Sequence, residues 1–270
     1  MTPGRRPLKF LRIHHLENRH LLTLLLVGAF LWSLAVVDWR GSLVHSGGGA
    51  AALDFLQGLF PPELSTGFLR LCLVASWQTV SYAVAGITVA VAIGFPLGVI
   101  ASGTGFSQRT LRVVAVVRLC LAGMRSIHEL VWAVLFVTAF GLSPLSAILA
   151  IALPYGGILG RIYADLIIDV PDPPLRALRA TGASPLRVLL YGRIPMALPD
   201  LLGYTFYRFE CAIRAAAIMS FVGIRGLGYE IQLSLNDLLF NQVWTLMLFM
   251  IALVIVVDMW SSRLRRSLVS

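Results

Sequence analysis

Long apolar runs without charged residues dominate the chain. Asp, Glu, Lys and Arg are absent from residues 71–108, 130–160 and 238–257. A helix that crosses a bilayer needs about 20 mostly apolar residues, and each of these runs is long enough. The runs are also too long and too apolar for ordinary buried helices. The pattern therefore predicts a membrane protein built from helices.

Six spans follow from the spacing of the apolar runs and their polar interruptions. The third is one long span broken by the polar segment "RSIHEL". Glycine and proline inside the second are tolerated in membranes where neighbouring helices pack closely. The predicted spans are 21–37, 77–102, 111–140, 145–168, 201–222 and 241–261. We therefore predict an all-α polytopic protein with about six transmembrane helices.

The first span follows a basic start, which resembles a secretory signal peptide. We favour an uncleaved anchor, because the next residues, "DWRGSLVHS", offer no small-x-small cleavage site. The Gly-rich and Pro-broken segment after it predicts an external loop with one short surface helix. Residues 1–69 thus form an N-terminal anchor helix with its loop, and residues 70–266 form the transmembrane domain.

Composition and charge agree with this class and orient the chain. Hydrophobic residues make up 58% and charged residues 13%, whereas a soluble domain has about 45–50% and about 25%. Most arginines fall on one side of the predicted spans, and the other side holds only Arg40, Arg70 and Arg225. Short arginine-rich loops are normally cytoplasmic, so both termini are predicted to be cytoplasmic. A net charge of +9 spread over such loops argues against nucleic-acid binding.

One long polar loop, residues 169–200, separates the spans of the second half. Three prolines forbid continuation of the preceding helix, at Pro171, Pro173 and Pro174. Asp172 can cap a short helix that starts with proline in its first turn. Gly182 is placed to end that helix in the left-handed conformation.

A second short helix is predicted directly afterwards. Ser184 followed by Pro185 repeats the cap-and-proline signal, and the helix runs to about Tyr191. Pro195 and Pro199 are then expected to break the chain before the next span. An ordered loop of this length is usually functional, so a rigid cytoplasmic unit that another protein grips is favoured over a merely well-capped connection.

The segment "RALRATGASPLRVLLYGRIP" in this loop resembles the coupling loop of ATP-binding-cassette (ABC) importer permeases. That pattern is Glu-Ala-Ala, three residues, Gly, nine residues, Ile-x-Leu-Pro. Ala177, Gly182 and Pro195 match it in spacing, with Leu178 at the second alanine and Ile194 at the leucine. The sequence departs from the pattern at two further positions.

The departures are Arg176 at the glutamate position and Gly192 at the isoleucine position. A reversed charge at a docking position weakens binding to a partner built for glutamate. Either the partner groove is adapted, or this subunit pairs with a second, different permease that carries the ordinary loop. A heteromeric pair is slightly favoured over a homodimer.

Further segments, "YTFYRFECAIRAAAIMSFVG", "GLGYEIQLSL" and "RSIHELVWAVLFV", make the chain similar to the permeases of phosphonate and phosphite importers. The resemblance implies a type I importer permease fold in the bacterial inner membrane. It also implies a paired permease, a cytoplasmic ATPase that receives each loop, and an external binding protein that delivers the oxyanion. The implied ATPase-coupling residues are Arg176, Ala177, Leu178, Arg179, Gly182, Ala183, Ser184 and Pro195.

The chain is not expected to be an enzyme or to hold a cofactor. It contains no GxxxxGK[ST] phosphate-binding loop, so a separate subunit must supply ATP hydrolysis. Arg176 and Arg179 lie three apart on one helix face, where they could meet acidic groups of the ATPase. A solvated basic face is an equally good interpretation.

The predicted span 201–222 contains three charges, Arg208, Glu210 and Arg214. Charges at membrane depth normally face the bundle interior or water. Glu210 and Arg214 are four apart, so they share a helix face and can pair, whereas Arg208 needs another partner. An arginine could contact the oxyanion through its planar fork, although an internal ion-pair network is the favoured interpretation.

The segment "RSIHEL" suggests a zinc motif only superficially. HExxH would need histidine at 132, where Trp132 stands, so no metal site is predicted. Ser126, His128 and Glu129 are instead expected to line a helix break near the translocation path. The three cysteines have no metal-ligand spacing.

Two other function classes stay open at this point. A secondary transporter or channel for a small anion would need inverted repeats or an intramembrane ion site, and no convincing repeat is present. A membrane-embedded enzyme would need a recognisable catalytic set, which the sequence lacks. The glycine-rich segment "GIRGLGYEIQLSLNDLLF" is placed outside, as a gate, a binding-protein contact or a plain surface segment. The transported oxyanion is not specified.

Overall fold

The computed structural model describes residues 14–37, 39, 47–104 and 111–269. All regular secondary structure in these ranges is helical. The chain divides into two compact units, residues 1–54 and 55–270. The basic residues at the extreme N-terminus and Arg109 lie outside the described residues.

The first unit contains helix α1, His14–Val36, and most of helix α2, Gly48–Gln57. The apolar part of α1, His20–Val36, is shorter than a full span. Its large apolar side chains are exposed within the unit, for example Leu24 at 73%. A helix that exposes such side chains needs an apolar environment, and the uncleaved anchor stays a prediction. The short helix expected in the loop is confirmed as α2.

The core of the second unit is a pair of long helices, α3 (Thr66–Ser102) and α6 (Pro144–Ile168). Small residues let their backbones approach closely, since a Cβ on Gly98 would lie 2.8 Å from the carbonyl oxygen of Gly160. Helix α3 begins eleven residues before the predicted start at 77. At 37 residues it is about 55 Å long, which exceeds the thickness of a bilayer core.

The predicted break is confirmed between two helices, α4 (Leu111–Ser126) and α5 (Glu129–Phe140), which form either a broken span or a re-entrant loop. They meet at an angle of 88°. His128 caps α5, because its Nδ1 accepts a hydrogen bond from the backbone N–H of Leu130 at 3.2 Å. This cap stabilises the new helix direction immediately after the break.

The polar loop forms helix α7, Asp172–Ala180, and helix α8, Pro185–Val188. Gly182 between them has φ +81°, as the sequence predicted. Helix α7 begins at Asp172 itself, and Pro171 occupies the cap position without a side-chain hydrogen bond. The two helices bent at Gly182 are therefore confirmed, although the first begins one residue early.

The predicted break at Pro195 and Pro199 is wrong. A π-helical turn, Leu189–Arg193, joins α8 directly to the long helix α9, Ile194–Met219. Pro195 occupies the first turn of α9, where a missing N–H costs little. The wider π turn before it shifts the hydrogen-bond register in which the proline ring would otherwise clash.

The chain ends with helices α10 (Leu227–Asn236) and α11 (Phe240–Val269). Among the described residues, three helices are long and apolar enough to cross a membrane, and the bent pair can supply a fourth span. These are α3, α6 and α11, with α4 and α5 as the pair. Helix α9 matches the predicted span 201–222 in position and carries the three predicted charges.

Candidate functional site

Helices α4, α6 and α9 line an open cavity of about 550 Å³, and two arginines are part of its wall. Ser126 and Arg208, both predicted from the sequence, line the same cavity. Arg125 lines it as well and was missed, although it begins the segment "RSIHEL". The remaining lining residues are Ala122, Ile158, Ile162 and Tyr204. The cavity therefore combines positive charge with small and apolar walls.

Arg208 is held in place by two tyrosines of its own helix. Its Nε and Nη2 donate to the Tyr204 hydroxyl at 2.9 and 2.6 Å. The guanidinium carbon lies 5.2 Å from the centre of the Tyr204 ring and 5.5 Å from that of Tyr207, within cation–π range. A guanidinium has five N–H donors, so donors remain for an anion in the cavity.

Arg125 stands in the last turn of α4. A cation is favoured there by the helix dipole, which offers a stable position for a charge at membrane depth. Ser126 follows at the helix end, and its hydroxyl donates to the carbonyl oxygen of Gly123 at 2.9 Å. The helix break thus brings one charged and one polar side chain to the cavity wall.

His128 and Glu129 are not among the residues that line this cavity. They occupy the bend itself, with His128 Nε2 3.9 Å from Glu129 Oε2. No group of three or more His, Cys, Asp or Glu within the described ranges is arranged to hold a metal ion. The structure assigns His128 the role of a helix cap.

The predicted pairing of Glu210 with Arg214 is not observed. Glu210 Oε1 instead lies 3.0 Å from Arg265 Nη2, on α11. The geometry is that of an ion pair without an aligned hydrogen bond. Arg214 is exposed and donates to the Cys211 sulfur at 3.5 Å. Glu210 turns toward α11 because that helix offers an arginine at the same level, which spacing within α9 cannot reveal.

A second ion pair was missed by sequence reasoning. Arg161 Nε lies 3.0 Å from Asp165 Oδ2, one turn apart on α6. Both side chains are partly exposed. Their spacing of four residues in the predicted span 145–168 is the signal that could have found them.

The polar loop is anchored to the second unit by apolar side chains and one arginine. Leu175, Val188 and Leu189 are buried. Arg193 Nη1 donates to two carbonyl oxygens at the end of α6, those of Ile167 at 2.8 Å and of Ile168 at 3.2 Å. An arginine that satisfies the last carbonyls of a helix locks the loop in one position.

Gly192, one of the two departures from the coupling-loop pattern, lies directly against α7. A Cβ at this position would be 2.9 Å from Leu175 Cδ2. The isoleucine of the usual pattern would therefore force the buried Leu175 side chain to shift. Glycine here permits close packing between α7 and the π turn.

The outward face of this loop combines arginines with large apolar side chains. Arg176, Ala177, Arg179, Gly182 and Ser184 are exposed, as is Pro195, whereas Leu178 and Ala183 are half-buried. The exposed apolar residues are Leu186, Leu190 and Tyr191, the last at 75%. A rigid loop with such a face has the character of a docking surface.

An all-helical bundle with charged residues along an open cavity, and a capped helical loop at the end of one long helix, is the architecture expected of a membrane transport subunit. Solved structures agree. The methionine ABC transporter MetNI in inward-facing conformations matches with a TM-score of 0.65 at 20% identity, covering 76% of this chain and 99% of that chain. The predicted type I importer permease fold is thereby confirmed.

Sequence comparison identifies the family. The profile of the binding-protein-dependent transport system inner membrane component matches residues 94–270, and the chain belongs to this family. The phosphite transport system permease PtxC of Stutzerimonas stutzeri is 32% identical over 219 residues, 81% of this chain and 78% of that protein. The phosphate-import permease PhnE of Mycolicibacterium smegmatis is 30% identical over 213 residues, 79% of this chain but 39% of that protein. The protein is thus a permease subunit of an ABC importer in the bacterial inner membrane.

Proposed function

We propose that this permease forms half of the path for a small phosphorus oxyanion, either phosphite or a phosphonate. The observation that carries the proposal is the cavity that Arg125 and Arg208 both line. Planar guanidinium groups suit the oxygens of such anions, because they donate two parallel hydrogen bonds. The names of the relatives point to the same chemical class.

The chain itself performs no catalysis in this proposal. A separate ATPase would bind the loop of α7 and α8 and move it during ATP hydrolysis. The exposed Arg176, Arg179 and Tyr191 would form the contact. The buried Leu175 and the Arg193 bonds to α6 would transmit the motion to the bundle. An external binding protein would supply the anion on the other side.

A second, different permease is the proposed partner in the membrane. Arg176 reverses the charge expected at a docking position, and one such subunit per transporter is easier to accommodate than two. Because this chain matches only 39% of the M. smegmatis permease, that protein has room for a second unit. An active transporter assembled from this permease alone with its ATPase would contradict the heteromeric pairing.

Uptake of phosphite into proteoliposomes tests the oxyanion path. The complete transporter is reconstituted with Arg208→Gln, Arg208→Lys or Tyr204→Phe. We expect the glutamine variant to lose uptake by about tenfold or more, because charge-assisted bonds are lost. The lysine variant should recover part of it, and Tyr204→Phe should lower uptake through a less well oriented guanidinium.

Arg263→Gln is the matched control, because it removes an exposed arginine from α11 and leaves the cavity intact. Normal phosphite uptake by Arg208→Gln and by Arg125→Gln would reject this path for the anion. Loss of ATPase co-purification in these variants would point instead to a structural role.

A further inference from the structure

A second cavity, of about 430 Å³, lies between the first turns of α3 and the start of α10. Its polar lining comes from Arg70 and Gln78 on α3, and from Arg225, Tyr229 and Glu230 on the other wall. The volume falls within the range of small-molecule sites. It holds the two described arginines that the charge distribution assigned to the external side.

Neither arginine of this cavity is neutralised by a close partner. Arg70 and Arg225 are both exposed. Within the described ranges, neither guanidinium forms a hydrogen bond or an ion pair shorter than 4 Å. The two arginines outnumber the single carboxylate of the lining, Glu230, so the cavity has a net positive charge that an anion can compensate.

The walls of the cavity are held together by short contacts, so its shape exists before any ligand arrives. The backbone N–H of Leu227 donates to the buried Thr79 hydroxyl at 3.0 Å and ties α10 to α3. A Cβ on Gly228 would lie 2.0 Å from the carbonyl oxygen of Ala217, so α10 rests directly on the backbone of α9. A preformed site binds with a smaller loss of conformational entropy.

The cavity stands at the end of α9 opposite the coupling loop. Helix α9 begins after the π turn of that loop and is 26 residues long, or about 39 Å. Arg225 follows its far end, separated only by the short turn Ser220–Val222 and two more residues. If the loop faces the ATPase, this cavity faces the side from which imported cargo arrives.

We propose that this cavity is an outer oxyanion site, in which Arg70 and Arg225 receive the anion before it reaches the cavity of Arg125 and Arg208. The inference rests on the proposed function and adds a first binding site to the path. Gln78 and the Tyr229 hydroxyl offer further donors for anion oxygens. An acidic surface of a binding protein is a poorer match, since the arginines line a concave cavity of ligand size.

Glu230 gives this site a built-in counter-charge. Its carboxyl is partly buried in the same cavity, and it carries a negative charge toward Arg225. A carboxylate beside the guanidinium groups lowers their affinity for an anion. The site would therefore bind its ligand weakly enough to release it inward, as a path with several binding sites in series requires.

Equilibrium binding of phosphite tests the outer site. The permease–ATPase complex in nanodiscs, without nucleotide or binding protein, is titrated calorimetrically. We expect two classes of site in the unmodified complex. Arg70→Gln with Arg225→Gln should weaken one class by about tenfold or more and spare the other, whereas Arg208→Gln should do the converse.

Arg263→Gln with Arg266→Gln is the matched control, because it removes the same charge from the exposed surface of α11. Arg70→Lys with Arg225→Lys should keep most of the affinity. Each single glutamine variant should weaken the outer class less than the pair, which gives a readout should the double variant fail to assemble.

The two proposals fail in different ways. An unchanged isotherm for the Arg70 and Arg225 variant, with normal phosphite uptake by the unmodified transporter, overturns the outer site alone. Weaker binding of the external binding protein with an unchanged isotherm overturns it too, and assigns the arginines to protein docking. Absence of uptake of both phosphite and a phosphonate by the unmodified transporter overturns the proposed function.

Discussion

Glu210 on α9 pairs with Arg265 on α11, with 3.0 Å between Oε1 and Nη2. The two side chains are 11% and 29% exposed. This pair joins the helix that carries Arg208 to the last helix of the chain.

Removal of one partner should destabilise the second unit. Glu210→Gln should lower the free energy of unfolding by about 1–3 kcal/mol, because Arg265 loses its counter-charge in a poorly solvated place. Thermal unfolding in detergent measures the loss. The exchange Glu210→Arg with Arg265→Glu should recover part of it. Equal stability of Glu210→Gln and the unmodified protein would contradict a stabilising pair.

Gly182 should be sensitive to any side chain. Nothing lies within 4 Å of a Cβ built at this residue, so space is available and the cost is conformational. A β-branched residue in the left-handed region costs about 1–2 kcal/mol, which would reshape the bend between α7 and α8. We expect Gly182→Val to remain in the membrane but to lose ATPase binding and uptake, measured by co-purification and transport.

Gly203→Ala is a suitable control for that variant. It also adds a side chain in open space, but within α9 and without a left-handed backbone. Alanine is the better helix former, so full assembly and uptake are expected. Similar losses in both variants would show that the left-handed bend is not the cause.

Gly192→Ile, which restores the usual residue of the coupling-loop pattern, should be harmful in this chain. The new Cβ would lie 2.9 Å from Leu175 Cδ2. Overpacking of this kind costs about 1–3 kcal/mol. Leu175→Ala should compensate when combined with it. Proteolysis of the loop is the readout, and equal protection of Gly192→Ile and the unmodified chain would refute the steric argument.

Glu230 should weaken anion binding at the outer cavity at neutral pH, and this effect should disappear on acidification. Burial raises the pKa of Glu230, and the charge of Arg225 partly opposes this shift. Arg70, Cys72, Arg225 and Tyr229 are the other titratable groups at or near this cavity. As the pH falls through the raised pKa, the carboxylate becomes neutral and its repulsion of an anion disappears.

The comparison with Glu230→Gln isolates this effect. The variant should bind phosphite more tightly than the unmodified complex at neutral pH, and the ratio of the two affinities should approach one in acid. Phosphite itself protonates equally in both titrations. A ratio that stays constant with pH would exclude Glu230 as the titrating group.

Local signals in the sequence predicted much of the architecture. Apolar run lengths located the spans, and the left-handed bend at Gly182 followed from residue type alone. The failures involve long-range contacts. The partner of Glu210 is 55 residues away in sequence and on another helix, so spacing within α9 favoured Arg214 instead.

Two further misses have similar causes. Pro195 and Pro199 indicate a break when considered alone, but the π turn before them keeps the helix continuous. Arg125 was overlooked because its neighbours come from other helices. Only the packing of α4, α6 and α9 shows that it shares a cavity with Arg208.

The uninterrupted passage from α8 through the π turn into α9 has a mechanical consequence. The segment from Arg193 to Arg208 is helical throughout, contains Pro199 and rises about 22 Å. In the proposed function, a displacement that the ATPase applies to the loop would reach the Arg208 guanidinium as a rotation or a shift of this helical segment. In the proposed function, the ATPase contact and the anion contact are therefore parts of one helical unit, and a flexible joint inserted between them would uncouple ATP hydrolysis from import.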